Sequence, residues 1–385
     1  VTVTTLVERI KDLEFSVSGP PPVRVGRAVS YDLTITNMGN GDESLELYRD
    51  FAPDGWTLDF LDGPASISNV FVGHGEAKTI QVRIGVSNDA VAGTHFPTVR
   101  LQDRFGGSHQ VVLTTVVEQF FAVSITASEF KLDGSPGSRV EYALQVTNDG
   151  NGWDNFTLNT LDLPPGFAPE FFVVTHDSLG NVERTLVEGT LELEHGKLVD
   201  IALSMAIPLT TQASQVEFSA FAESSGNEQD GVILVIAIKK ADLRPGVITY
   251  TPESPSAGQI TAITVEILNS GDIDAQPVIV VFRDNGQEIA RETLVRVAAG
   301  QRGFVTFAWL PTGGSHDLQF EADPLGGPDD IIGLVVEKDE LNNAVTSHKD
   351  VGSSAGQLPG FEAPAALAVI ALAALAGASR RRRDE

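Results

Sequence analysis

Val29-Ser30-Tyr31-Asp32-Leu33-Thr34-Ile35-Thr36-Asn37 alternates apolar and polar side chains, the period-two pattern of a strand with one buried face. The same pattern returns without gaps at Val140-Glu-Tyr142-Ala-Leu144-Gln-Val146-Thr-Asn148 and at Thr261-Ala-Ile263-Thr-Val265-Glu-Ile267-Leu-Asn269. The alternation predicts that Tyr31, Leu33 and Ile35 point into a core, as do Tyr142, Leu144, Val146 and Ile263, Val265, Ile267. Each strand ends at an Asn, with a Gly two residues later (Gly39, Gly150, Gly271). Because Asn and Gly both accept positive φ, these positions read as turn chemistry.

A second landmark keeps the same register. His74-Gly75 leads into Ile80 and Val82, His195-Gly196 into Ile201 and Leu203, and Ala299-Gly300 into Phe304 and Phe307. Each reads as a Gly turn feeding another alternating strand. Pro53-Asp-Gly55-Trp56 and Pro164-Pro-Gly166-Phe167 add a shared aromatic, expected to plug a core. Tyr31 to Tyr142 is 111 residues and Tyr142 to Ile263 is 121, the size of an immunoglobulin-like sandwich. The expected fold is all-β: three tandem immunoglobulin-like sandwiches at 13–118, 119–240 and 241–350, followed by a linker at 351–358 and a C-terminal transmembrane helix. Thr4-Thr-Leu-Val-Glu8 echoes Thr114-Thr-Val-Val-Glu118, so residues 1–12 read as the last strand of a truncated preceding repeat. Junctions such as Val117-Glu-Gln-Phe120 lack a Gly/Ser spacer, which predicts a semi-rigid rod.

Among the 385 residues, 52 are acidic and 26 basic, a net charge of −26. That sign argues against nucleic acid as a partner and against adsorption to anionic lipid. With no cysteine, disulfides and thiolate metal sites are excluded, and stability must come from packed cores. The chain has 20 Phe and abundant Val, Ile and Thr, a β-rich composition.

The end of the chain is different. Pro359-Gly360-Phe361 precedes an uncharged apolar stretch, 363–378, and then Arg380, Arg381, Arg382 and Arg383. At about 1.5 Å per residue the stretch reaches about 24 Å as a helix, slightly short of a ~30 Å hydrocarbon core. The arginine cluster marks a cytoplasmic membrane stop. This tripartite tail resembles the PGF-CTERM sorting signal of archaeal surface proteins. The resemblance implies processing by an archaeosortase-type enzyme, a lipid- or membrane-held mature protein on the cell surface, and a tail that is cytoplasmic before processing.

Units one and two resemble the NPCBM-associated immunoglobulin-like domains of surface proteins. Unit three resembles a CARDB domain (cell adhesion related domain found in bacteria). That likeness is carried by Ala241-Asp242-Leu243, Ser256-Ala257-Gly258, Asn269-Ser270-Gly271, Ala298-Ala299-Gly300, Asp323-Pro324 and Glu337-Lys-Asp339-Glu340-Leu-Asn342-Asn343. Modules of this kind bind, space or adhere, which implies a non-enzymatic stalk or adhesion protein whose partners are cell-surface glycans or proteins. The alternative is the accessory, carbohydrate-binding end of a surface hydrolase whose catalytic domain lies upstream.

Three local features complete the expectations. Asp323, Asp329, Asp330, Glu337, Asp339 and Glu340, with Asn342 and Asn343, supply the hard oxygens that Ca²⁺ takes, although without EF-hand spacing; the competing reading is a set of turn caps. No other cofactor is expected. Asn155-Phe-Thr157 is an N-glycosylation sequon. The scattered histidines read as turn residues, and no Ser/His/Asp set is visible on a plausible scaffold.

Overall fold

A computed structural model describes residues 2–326 and 333–352. Every regular element within them is a β-strand. The expected helix at 363–378, the sorting tripeptide and the four arginines lie outside the described residues, as do Asp329 and Asp330.

The strands form three two-layer sandwiches, each with its own core. In unit one, Leu13–Ser18, Ala28–Asn37, Ala77–Gly85, Thr57–Asp62 and Ala65–Ser66 make one sheet. Ser108–Val112, Thr98–Asp103, Glu43–Phe51 and Asn69–Val72 make the other. Unit two repeats this plan. One of its layers runs Val123–Ala127, Arg139–Asn148, Leu198–Ala206, Ala168–His176 and Val182–Leu186; the other is built around Gln215–Ser224 and Gln229–Ile238. Unit three sets Leu243–Thr251, Thr261–Asn269 and Arg302–Trp309 against a four-stranded sheet that closes with Ala344–Val351.

The three quoted strands occupy the same place in each unit, paired antiparallel with the strand that follows the Gly turn. Tyr31 lies opposite Val82, Tyr142 opposite Leu203, and Ile263 opposite Phe307. All nine residues predicted to point inward are buried. Trp56 and Phe167 are partly buried and pack against their cores, as plugs do. Burial of each Tyr leaves its hydroxyl needing a partner. Tyr31 Oη donates to Thr114 O at 2.9 Å, and Tyr142 Oη to Val235 O, in the facing layer, at 2.6 Å. Phe304 points outward and is 61% exposed, while Val305 and Phe307 fill the core. The pairing of Val265 with Val305 fixes these faces.

Residues 2–12 form no strand, and Leu6 and Val7 are exposed. Val117, at the corresponding place in the echo segment, is buried and bridged to Val23.

Candidate functional site

The two sequence landmarks converge on one point of every unit. Asn37, Asn148 and Asn269 are fully buried and make the same set of bonds. The side-chain oxygen accepts from the Gly amide two residues on, at 3.1, 2.9 and 2.9 Å. The side-chain nitrogen donates to the carbonyl four residues on (Gly41, Gly152, Ile273) and to a carbonyl across the sandwich (Val72, Leu193, Val297), all within 2.8–3.1 Å. One carboxamide thus satisfies three backbone groups and fixes the loop.

That loop holds the incoming chain. Met38 N, Asp149 N and Ser270 N donate to Asp12 O, Ala122 O and Asp242 O. Two residues further on, Asn40 N, Asn151 N and Asp272 N donate to Ile10 O, Phe120 O and Lys240 O. The glycine between them is required because the chain passes against it, and its φ is not positive. A Cβ on Gly150 would lie 2.7 Å from Phe120 O, and one on Gly271 would strike the Ala241 backbone. The turn-chemistry reading of Asn and Gly at these positions is therefore corrected: hydrogen bonding selects the Asn and close approach selects the Gly. Positive φ belongs to the other landmark, at Gly75, Gly196 and Gly300.

Asn40 and Asn151, missed in the sequence, extend the grip. Asn40 Oδ1 accepts from Ile10 N at 2.8 Å and its Nδ2 donates to Glu8 O at 2.7 Å. Asn151 does the same with Phe120 N (2.8 Å) and Glu118 O (3.0 Å), and it reaches into unit one at Ala90 O (3.3 Å). Its own carbonyl accepts from Ala92 N at 2.7 Å. The available signal was a second Asn-Gly pair, 40–41 and 151–152, three residues after each buried Asn.

Unit three stitches its start to its close. Leu243 N donates to the Glu337 carboxylate, Lys338 N to Ala241 O (2.9 Å), Asn342 Nδ2 to Asp242 Oδ1 (2.9 Å) and Asn343 Nδ2 to Glu337 Oε1 (3.0 Å). Burial, opposed by the Leu243 amide and reinforced by Glu340, Asp323 and Asp242, pushes the Glu337 carboxyl up to about 8. Burial also lowers Lys240. The described acids proposed for Ca²⁺ cap backbone amides: Asp323 accepts from Leu334 N (3.2 Å) and Val335 N (2.8 Å), Asp339 from Leu341 N (3.0 Å), and Glu340 from Glu337 N (2.9 Å). Among the described residues no group of three or more His, Asp or Glu is positioned to hold a metal ion.

A hydrogen-bonded Ser–His–Asp chain does occur on the surface of unit three. Ser315 Oγ lies 3.0 Å from His348 Nε2, and Asp317 Oδ1 lies 2.8 Å from His348 Nδ1. These residues pair across neighbouring strands on an exposed sheet face. The Asp317 hydrogen bond, opposed by hydration loss and supported by Asp350 at 3.6 Å, raises the His348 pKa. The chain lies on an open sheet face, with Ser315, Asp317 and His348 all exposed.

Residues 240–347 match the CARDB family model. No curated protein matches the chain. Among solved structures, a CARDB domain from Pyrococcus furiosus, described as in complex with di-metal ions, is 23% identical; it covers 30% of this chain and 96% of its own, with a TM-score of 0.26. A domain ascribed to a cell surface protein of Methanosarcina acetivorans is also 23% identical, covering 32% and 99% at a TM-score of 0.26. A 1.5-MDa bacterial ice-binding adhesin is 11% identical, covering 89% and 97% at a TM-score of 0.32. The family match places a CARDB domain at residues 240–347.

Proposed function

We propose that this chain is a non-enzymatic cell-surface protein, a stalk or adhesion module built from tandem immunoglobulin-like sandwiches. The observation that carries the reading is the CARDB match over unit three. The repeated grip on each incoming segment supports it, since it restricts bending at the joints (Asn151 to Ala90, Phe120 and Glu118). The tail would anchor the protein to an archaeal membrane, with cleavage near Pro359-Gly360-Phe361 by an archaeosortase-type enzyme. Protease treatment of intact cells is expected to remove the sandwiches, whereas protection equal to that of a cytoplasmic protein would refute the surface location. Replacing Gly360 and Phe361 should leave a slower-migrating, uncleaved form; unchanged migration would refute tail processing.

The Ser315–His348–Asp317 chain makes the non-enzymatic reading testable. Purified protein should hydrolyse an activated ester no faster than its His348→Ala variant, and a His348-dependent turnover would refute it.

The hydrolase-accessory reading rests on a groove of about 540 Å³ on the outer face of unit two, where Glu141, Gln145, Arg184 and Asp200 surround Ala143 and Ala202. Retention of the protein on polysaccharide columns through that groove would favour it. A structural Ca²⁺ rests on the buried Oδ1 atoms of Asn342 and Asn343, which have no hydrogen-bond partner among the described residues. Identical melting curves in Ca²⁺ and in chelator would dispose of it.

A further inference from the structure

Unit two carries an exposed tryptophan that its fold does not need. Trp153 is 62% exposed, five residues past the buried Asn148. The matching positions, five past Asn37 and Asn269, hold Asp42 and Asp274. The sandwich therefore forms without an aromatic there.

Its neighbours carry modifiable chemistry. Strand Asp154–Leu161 alternates inward and outward, with Phe156 fully buried and Asn155 and Thr157 exposed on the opposite face. The sequon Asn155-Phe156-Thr157 thus presents its amide and its hydroxyl together. Asn155 has no side-chain hydrogen bond among the described residues, in contrast to the fully engaged Asn148. A cleft of about 430 Å³ opens beside them, lined by Trp153, Asn155, Gln119, Phe121 and Glu192. Gln119 Nε2 donates to Trp153 O at 2.7 Å, which joins the cleft wall to the segment linking units one and two.

We infer that Asn155 carries an N-linked glycan whose first sugar lies in this cleft against Trp153. An indole face suits the C–H face of a pyranose, and Gln119 and Glu192 suit its hydroxyls. The transfer joins Asn155 Nδ2 to the anomeric carbon of a lipid-phosphate-linked glycan donor. The bond from that carbon to the phosphate oxygen breaks, the lipid phosphate leaves, and the amide loses one proton. The inference rests on the cell-surface reading, because such a donor is met outside the cytoplasm.

The test uses the full chain purified from its native cells. Mass spectrometry of the peptide bearing Asn155 should show a glycan, and Thr157→Ala should abolish it. Acrylamide quenching then reads the docking. Trp309 is buried and Trp56 partly so, which leaves Trp153 as the exposed fluorophore. Its quenching constant should rise about twofold in Thr157→Ala, with Asn155→Gln giving the same rise. A glycan with no change in quenching overturns the docking. A bare Asn155 on protein recovered from the cell surface overturns the glycan while leaving the surface reading intact; protein confined to the cytoplasm overturns both.

Discussion

At the scale of single residues, the decisive side chains are buried amides and one buried acid. Asn148 satisfies Gly150 N, Gly152 O and Leu193 O from a site with no solvent access. Asn148→Ala should destabilise unit two by about 3 kcal/mol, since the groups it leaves behind lose their partners without gaining water. Urea unfolding checks this, and a loss under 1 kcal/mol would contradict the role given to the amide. Glu337 makes a different prediction. Its folded pKa, about 8, lies above the ordinary 4.5, so the folded state holds a proton that the unfolded state has released. The associated stability is full below about pH 4.5 and is lost as pH rises to about 8. Glu337→Gln cannot ionise, and its amide can donate to the unpartnered Asn343 Oδ1. The stability of unit three in this variant should vary less across that window and exceed that of wild type at pH 8 by a few kcal/mol. A variant that melts below wild type at pH 8 would refute it. The sequence made the Asn-x-Gly pattern visible three times over. It could not show why the pattern recurs, because the partners that select it come from residues up to 45 positions away.

At the scale of elements, alternation was enough to place the central strands and their inward faces. It works because one face of each strand meets a core and the other meets water. The signal weakens where both faces are partly covered. Ala168–His176, next to the hairpin strand Val182–Leu186, shows no clean alternation of burial. Alternation holds even at Phe304, a large apolar residue that parity places outward and that is exposed. The joints were legible only as an absence of spacer residues; the grip of Asn151 on two units was not. Asn151→Ala removes bonds to Phe120 N, Glu118 O and Ala90 O together. It should speed limited proteolysis between Glu118 and Ala122 by about tenfold while unit two's own melting changes little. Unchanged cleavage would mean that the backbone bonds alone fix the joint.

At the scale of the whole molecule, three separate cores share one strongly negative chain. Each unit has its own cluster of buried aliphatic and aromatic side chains. Most ion pairs lie at the surface, where a single pair contributes little. The excess of 52 acids over 26 bases therefore acts mainly as self-repulsion spread over the sandwiches. Repulsion of this kind destabilises the compact state and decays with the Debye length, about 30 Å at 0.01 M ionic strength and about 3 Å at 1 M. The packed cores do not depend on charge, so salt should relieve the repulsion without weakening what holds the fold. Melting temperature should rise monotonically by several degrees as NaCl increases from about 0.01 to 1 M. The gain should appear in potassium chloride as well as sodium chloride, since screening depends on ionic strength. Scanning calorimetry of the full chain measures this directly. A melting temperature that falls with salt would mean that the surface ion pairs, such as Arg184 with Glu141 and Lys338 with Asp272, outweigh the net charge. In that event the acidic surface would act through ion pairs within each unit, with the net charge secondary to them.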